Sequence, residues 1–171
     1  FEKCSSIATV NIPGVESIGE KAFYDCTALS GLTLNSGTTS LGEQTFANCT
    51  ALKNVVLPPT VVSVSDGCFM NDHELVTLDL GNSLEIIGPS AFSGCASLSE
   101  LNFPQTLYGL GVESFKGCEN LSYVTIPDSC RLSSIGARAF QNCTGIEWIS
   151  LSNRITSLGA NSFDGCNSIR Y

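Results

Sequence analysis

The stretch FANCTALKNVVLPPTVVSVSDGCF, residues 46–69, begins and ends on phenylalanine and spells out one full unit of a repeat. Cys49 stands three residues after Phe46, Leu52 three residues further on, and an alternating run then leads to Leu57 and Pro58. Alternation with a period of two is the signature of a short strand. Val61 and Val64 follow at i, i+3 before Phe69 opens the next unit. Outward from this stretch the phenylalanines keep time: Phe1, Phe23, Phe46, Phe69, Phe92, Phe115, Phe140 and Phe163, at intervals of 22, 23, 23, 23, 23, 25 and 23 residues. A period in the twenties held along the whole chain means one supersecondary unit stacked on copies of itself, a solenoid.

The other columns follow the same beat. Three residues after each Phe comes Cys4, Cys26, Cys49, Asp72, Cys95, Cys118, Cys143 or Cys166. Before that column stands Asp25, Asn48, Asn71, Gly94, Gly117, Asn142 or Gly165, residues that tolerate positive φ, with Lys3 the exception. A Gly follows the second aliphatic pair in six units, Gly19, Gly42, Gly88, Gly111, Gly136 and Gly159, and Ser65 replaces it in the seventh. Pro13, Pro58, Pro104 and Pro127 come after the strand, where a missing N–H ends the ladder.

Written out, the unit is C-x-x-L-x-x-L-x-L-P-x-x-V-x-x-I-G-x-x-A-F-x-[NDG]-C, and it resembles the BspA-like leucine-rich repeat family over the entire chain. The resemblance implies an α/β solenoid. This would be a leucine-rich repeat right-handed superhelix, with one short parallel strand per repeat and short turns or helical fragments on the convex side. Residues 1–171 then form a single domain of about seven repeats, which we read as a piece of a longer array. One departure from the ordinary leucine-rich repeat is visible: its ladder-forming Asn column here reads Gly37, Thr60, Ser83, Thr106 and Arg154, so hydroxyls replace the asparagines in part.

Composition narrows the function classes. The chain of 171 residues is 43% hydrophobic and only 14% charged, which suits coils that bury side chains against both neighbours. A net charge of −8 with eight scattered Lys and Arg argues against nucleic acid or an anionic membrane as partner. No transmembrane run or signal-peptide pattern is present.

Seven of the nine cysteines fall in one column, one per coil, whereas zinc ligation needs close pairs that converge on a point. They read as buried packing residues. Cys130, in the two-residue insertion of the sixth unit, is the candidate for an exposed reactive thiol, and Asp72 beside His73 marks a rearranged turn. The chain lacks a phosphate-binding glycine loop, a G-x-S-x-G, an H-E-x-x-H and a second His, so we expect no enzyme, no cofactor and no metal. Asn48, Asn120 and Asn142 begin N-x-[ST] sequons.

Function then falls to the outward face of the strands. Alternation assigns to it Thr77 and Asp79, Glu100 and Asn102, Tyr123 and Thr125, and Trp148 and Ser150 in the last four coils. Paired exposed aromatics anchor interfaces. The candidate partner-binding residues are therefore Tyr123, Trp148, Glu100, Asn102, Thr125, Asp79 and Ser150. The family resemblance implies a surface-exposed adhesion or recognition protein, extracellular or at the cell surface. Its partner would be an extracellular-matrix, host or cell-surface protein, or a glycan, held without chemistry or membrane insertion. The alternatives are a structural segment within a larger assembly, touching other subunits at its ends, and a sugar-binding module using Tyr123 and Trp148.

Overall fold

Alternate aliphatic residues give each coil a three-residue strand, and the i, i+3 aliphatic pair ends in a second strand of two residues. The computed structural model describes residues 1–170 and arranges them as about seven coils. The first four coils carry β1 (Thr9–Asn11) and β2 (Ser17–Ile18), β3 (Gly31–Thr33) and β4 (Ser40–Leu41), β5 (Asn54–Val56) and β6 (Ser63–Val64), and β7 (Thr77–Asp79) and β8 (Ile86–Ile87). The fifth carries only β9 (Gly109–Leu110), and the last two carry β10 (Tyr123–Thr125), β11 (Ser134–Ile135), β12 (Trp148–Ser150) and β13 (Ser157–Leu158). All pairing is parallel, and each strand that pairs does so with its equivalent in an adjacent coil. The described residues contain no helix, so turns alone fill the convex side, and the second strand is an element beyond the one per repeat that the sequence implies.

Eight phenylalanine rings form the spine. Neighbours from Phe1 to Phe115 lie 5.3 Å apart between centroids, within 12° of parallel, and Phe140–Phe163 lies at 5.2 Å. The interval widens to 5.6 Å between Phe115 and Phe140, where the two-residue insertion lengthens the coil. Phe46, Phe69, Phe92, Phe115 and Phe140 are fully buried. The turns around the rings are tied by main-chain bonds in triplets. Gln44, Phe46 and Asn48 donate to the carbonyls of Asp66, Cys68 and Met70 at 3.0, 2.9 and 2.8 Å. The same triplet recurs at every junction from Lys21 to Asn142.

The cysteine column has a reason that residue type alone does not reveal. Each thiol is a small apolar body with a weak donor. The Sγ of Cys26, Cys49, Cys95, Cys118, Cys143 and Cys166 donates to the carbonyl of the phenylalanine one coil back, Phe1, Phe23, Phe69, Phe92, Phe115 and Phe140, at 3.1–3.4 Å. Burial pushes the thiols of Cys26, Cys49, Cys68, Cys95 and Cys118 above their usual range and that of Cys166 to about 11.

Cys130 corrects the sequence reading: it is fully buried, not exposed. Its backbone N–H donates to Pro127 O just as that of Leu107 donates to Pro104 O one coil earlier, and its Sγ donates to Leu107 O at 3.4 Å. The insertion therefore folds Cys130 into an inward slot that holds an aliphatic residue elsewhere. Asp72 keeps the cysteine position and is buried; its Oδ1 accepts the Cys49 N–H at 2.8 Å while Oδ2 has no partner. Burial raises this carboxyl well above the ordinary carboxylate range. The turn is not rearranged as the sequence suggested: His73 N–H bonds to Asn71 O at 2.9 Å just as Ala96 N–H bonds to Gly94 O at 2.8 Å one coil on.

Two backbone columns are left-handed. The one before the cysteines follows the sequence expectation and takes in Lys3 as well, at φ 59°. The other comprises Lys21, Gln44, Gly67, Ser90, Glu113, Arg138 and Asn161, and nothing in their chemistry announces it. In the missing asparagine column, Thr60 Oγ1 donates to Thr38 O and Thr106 Oγ1 to Leu84 O at 2.6 Å, the expected hydroxyl replacement.

Candidate binding face

Strand pairing is interrupted at places where the sequence departs from the repeat. The glycine column lets coils approach closely: a Cβ on Gly42, Gly111, Gly136 or Gly159 would fall 2.3–2.5 Å from backbone of the coil before. Ser65 has that Cβ, and at its junction neither β3 with β5 nor β4 with β6 pairs; its Oγ bridges to Leu41 O at 2.6 Å instead. In the fifth coil Phe103 stands in the inward column that holds Leu34, Leu57, Leu80, Ile126 and Leu151 elsewhere. Its ring packs edge-on against Phe115, with centroids 6.1 Å apart. Here Glu100–Asn102 forms no strand and keeps only a single bridge, Asn102 to Thr125.

Shallow depressions flank that unpaired segment. One of about 240 Å³ lies against Thr77, Leu78, Ser99, Glu100 and Asn102, and one of about 180 Å³ against Glu100, Leu101, Asn102, Tyr123 and Thr125. Tyr123 and Trp148 are register partners in β10 and β12, exposed by 56% and 55%. Thr125 and Ser150 pair in the next outward position, and Asp79, Glu100 and Asn102 are exposed on the same face. The structure thus brings the seven candidate residues onto one surface. A depression of about 250 Å³ over β1 and β3 has only Thr, Asn, Ser and Gly side chains outward, without an aromatic or a charge.

The electrostatics of this face are one-sided. Among the described residues, Lys3, Lys21, Lys53, Lys116, Arg138 and Arg170 pair with Glu2, Glu20, Glu74, Glu113, Glu113 and Glu147. Arg131 lies over the Tyr108 ring at 5.6 Å, and Arg154 Nε donates to Asp128 O at 3.0 Å. Among the described residues, neither Asp79 nor Glu100 pairs with any of the eight cations. Asp79 accepts only the Gly81 N–H, at 2.9 Å.

Other sequence candidates separate in space. His73 is exposed with Nδ1 2.9 Å from Gly94 O, while Asp72 faces the core, so the adjacent pair forms no site. Asn48 is half-buried and accepts from Asn71 Nδ2 at 3.0 Å, whereas Asn120 and Asn142 are exposed. The unpaired segment at Glu100–Asn102 was missed by sequence reasoning; its one signal was the ninth phenylalanine, off the repeat.

Comparison with known proteins agrees with this geometry. Six copies of the BspA type leucine rich repeat region match the chain over residues 1–122 and 63–171. The crystal structure of a Treponema pallidum leucine-rich repeat protein superposes with a TM-score of 0.85 at 26% identity, covering 95% of this chain and 78% of that one. A leucine-rich cell surface protein of Faecalibacterium prausnitzii superposes with a TM-score of 0.55 at 26% identity, covering 99% and 61%. A leucine-rich repeat protein of Eubacterium ventriosum gives 0.63 at 25%, covering 92% and 36%, so this chain spans well under the length of these two relatives. No curated protein sequence matches the chain.

Proposed function

From a chain that belongs to the BspA-type leucine-rich repeat family, we propose a non-catalytic binding module of a surface-exposed adhesion or recognition protein, gripping a protein or glycan through its strand face. The observation that carries this reading is Tyr123 beside Trp148, two large rings more than half exposed on a strand face whose other outward positions, Val56 apart, are small or polar. Residues of this kind at the centre of a contact supply most of its free energy. That one relative is a leucine-rich cell surface protein supports an extracellular setting. A rigid turn-side spine beneath the face lets several weak contacts act together without the cost of ordering a loop.

The test is a solid-phase assay on immobilised extracellular-matrix and cell-surface proteins and on a glycan array. The double variant Tyr123→Ala, Trp148→Ala should lose binding while keeping its melting temperature. Retention equal to the parent on every surface would eliminate the reading. A second reading, a structural segment of a larger assembly, is favoured by the continuous triplets of main-chain bonds on the turn side. It expects loss of assembly on altering that side and indifference to the aromatic pair.

A further inference from the structure

Glu100, Tyr123 and Trp148 occupy one outward column in three successive coils. Glu100 and Tyr123 line one depression, held together by the Asn102–Thr125 bridge, so a group seated on the Tyr123 ring is within reach of the Glu100 carboxylate. That depression has a volume of about 180 Å³. Asp79 adds a second carboxylate on the neighbouring coil, and among the described residues neither carboxylate pairs with a Lys or Arg. An electron-rich ring face beside a carboxylate lacking a counter-charge is complementary to a flat cation. A guanidinium answers to both, stacking on the ring and donating two N–H bonds to the carboxylate.

We infer that this part of the strand face recognises an extended, arginine-bearing peptide segment of a partner protein, with a guanidinium held between Tyr123 and Glu100 and flanked by Trp148. The inference rests on the binding reading above and names the chemistry of the partner. Asn102 and Thr125, both exposed at the rim of the same depression, are positioned to hydrogen-bond the peptide main chain.

Trp148 is the single tryptophan, and its emission reports the site directly. The probes are three Gly/Ser dodecapeptides carrying three alternate Arg, Lys or Gln residues, and a neutral oligosaccharide. The Arg peptide should shift Trp148 emission, the Lys peptide should bind more weakly, and the Gln peptide and oligosaccharide should leave the signal unchanged. Glu100→Gln should weaken the Arg peptide about tenfold, and Tyr123→Ala by a similar factor. Glu43→Gln, an exposed carboxylate on the turn side, should change nothing beyond weak screening. Equal losses for Glu43→Gln and Glu100→Gln would reduce the effect to net charge and overturn the inference. A Gln peptide or oligosaccharide that binds as well as the Arg peptide would overturn it too, leaving the strand-face reading intact. Silence of Trp148 toward all four probes, together with unaltered retention of the double aromatic variant on the immobilised surfaces, would bring down both.

Discussion

The turn side and the strand side of each coil are made of the same chain, yet only one is continuous. On the turn side three main-chain bonds recur at every junction and the rings stack without interruption. On the strand side Ser65 and Phe103 each open a junction, and the sheet is broken into short pieces. The difference teaches that cohesion and recognition are divided within one repeat. The departures at buried Phe103 and half-buried Ser65 coincide with a few lost strand bonds, while the turn-side triplets continue past both. The proposed site lies where the pairing lapses and aromatic and charged side chains border the lapse.

The largest test of this division compares truncations on the two sides. Phe92→Ala, which removes a fully buried ring, should cost about 3–5 kcal/mol in urea unfolding, and Leu78→Ala, half-buried beside the open junction, about 2 kcal/mol or less. Equal losses would erase the distinction.

Next in size is Asp72. Its folded-state pKa is raised, so the neutral form is favoured in the native protein and the associated stability is complete below the unfolded carboxylate pKa of about 3.9. That stability is lost as pH rises through the folded value. Asp72→Cys restores the donor that the other coils direct at a phenylalanine carbonyl, and it should stabilise by about 1–3 kcal/mol near neutral pH. The gain should shrink toward pH 4; a Tm difference that stays constant between pH 4 and 8 would refute the assignment.

A smaller effect sharpens the origin of the open junctions. Phe103→Leu should let Glu100–Asn102 pair with β7 (Thr77–Asp79) and slow amide exchange at Asn102 about tenfold, and Ser65→Gly should do the same for Val56. Unchanged exchange would locate the cause elsewhere. The smallest is Ser90→Gly, at φ 52°, which relieves a left-handed residue and should add about 0.5–1 kcal/mol on thermal unfolding.

What the sequence disclosed follows from where size and donors are fixed. The phenylalanine clock, the cysteine column and the first left-handed column were legible because each buried slot accepts few residue types. The second left-handed column was not, since Lys21, Gln44 and Arg138 turn their side chains to water and the backbone alone demands the geometry. Cys130 misled because an insertion reads as a loop, whereas the coil had an inward vacancy for it. The outward face was placed correctly by alternation. Its depressions were hidden, because alternation says which residues face outward and nothing about the relief between coils.

A stack bound along one margin and loose along the other behaves like a book held by its spine. A guest at Glu100 would rest on the fore-edge and leave the spine of rings untouched.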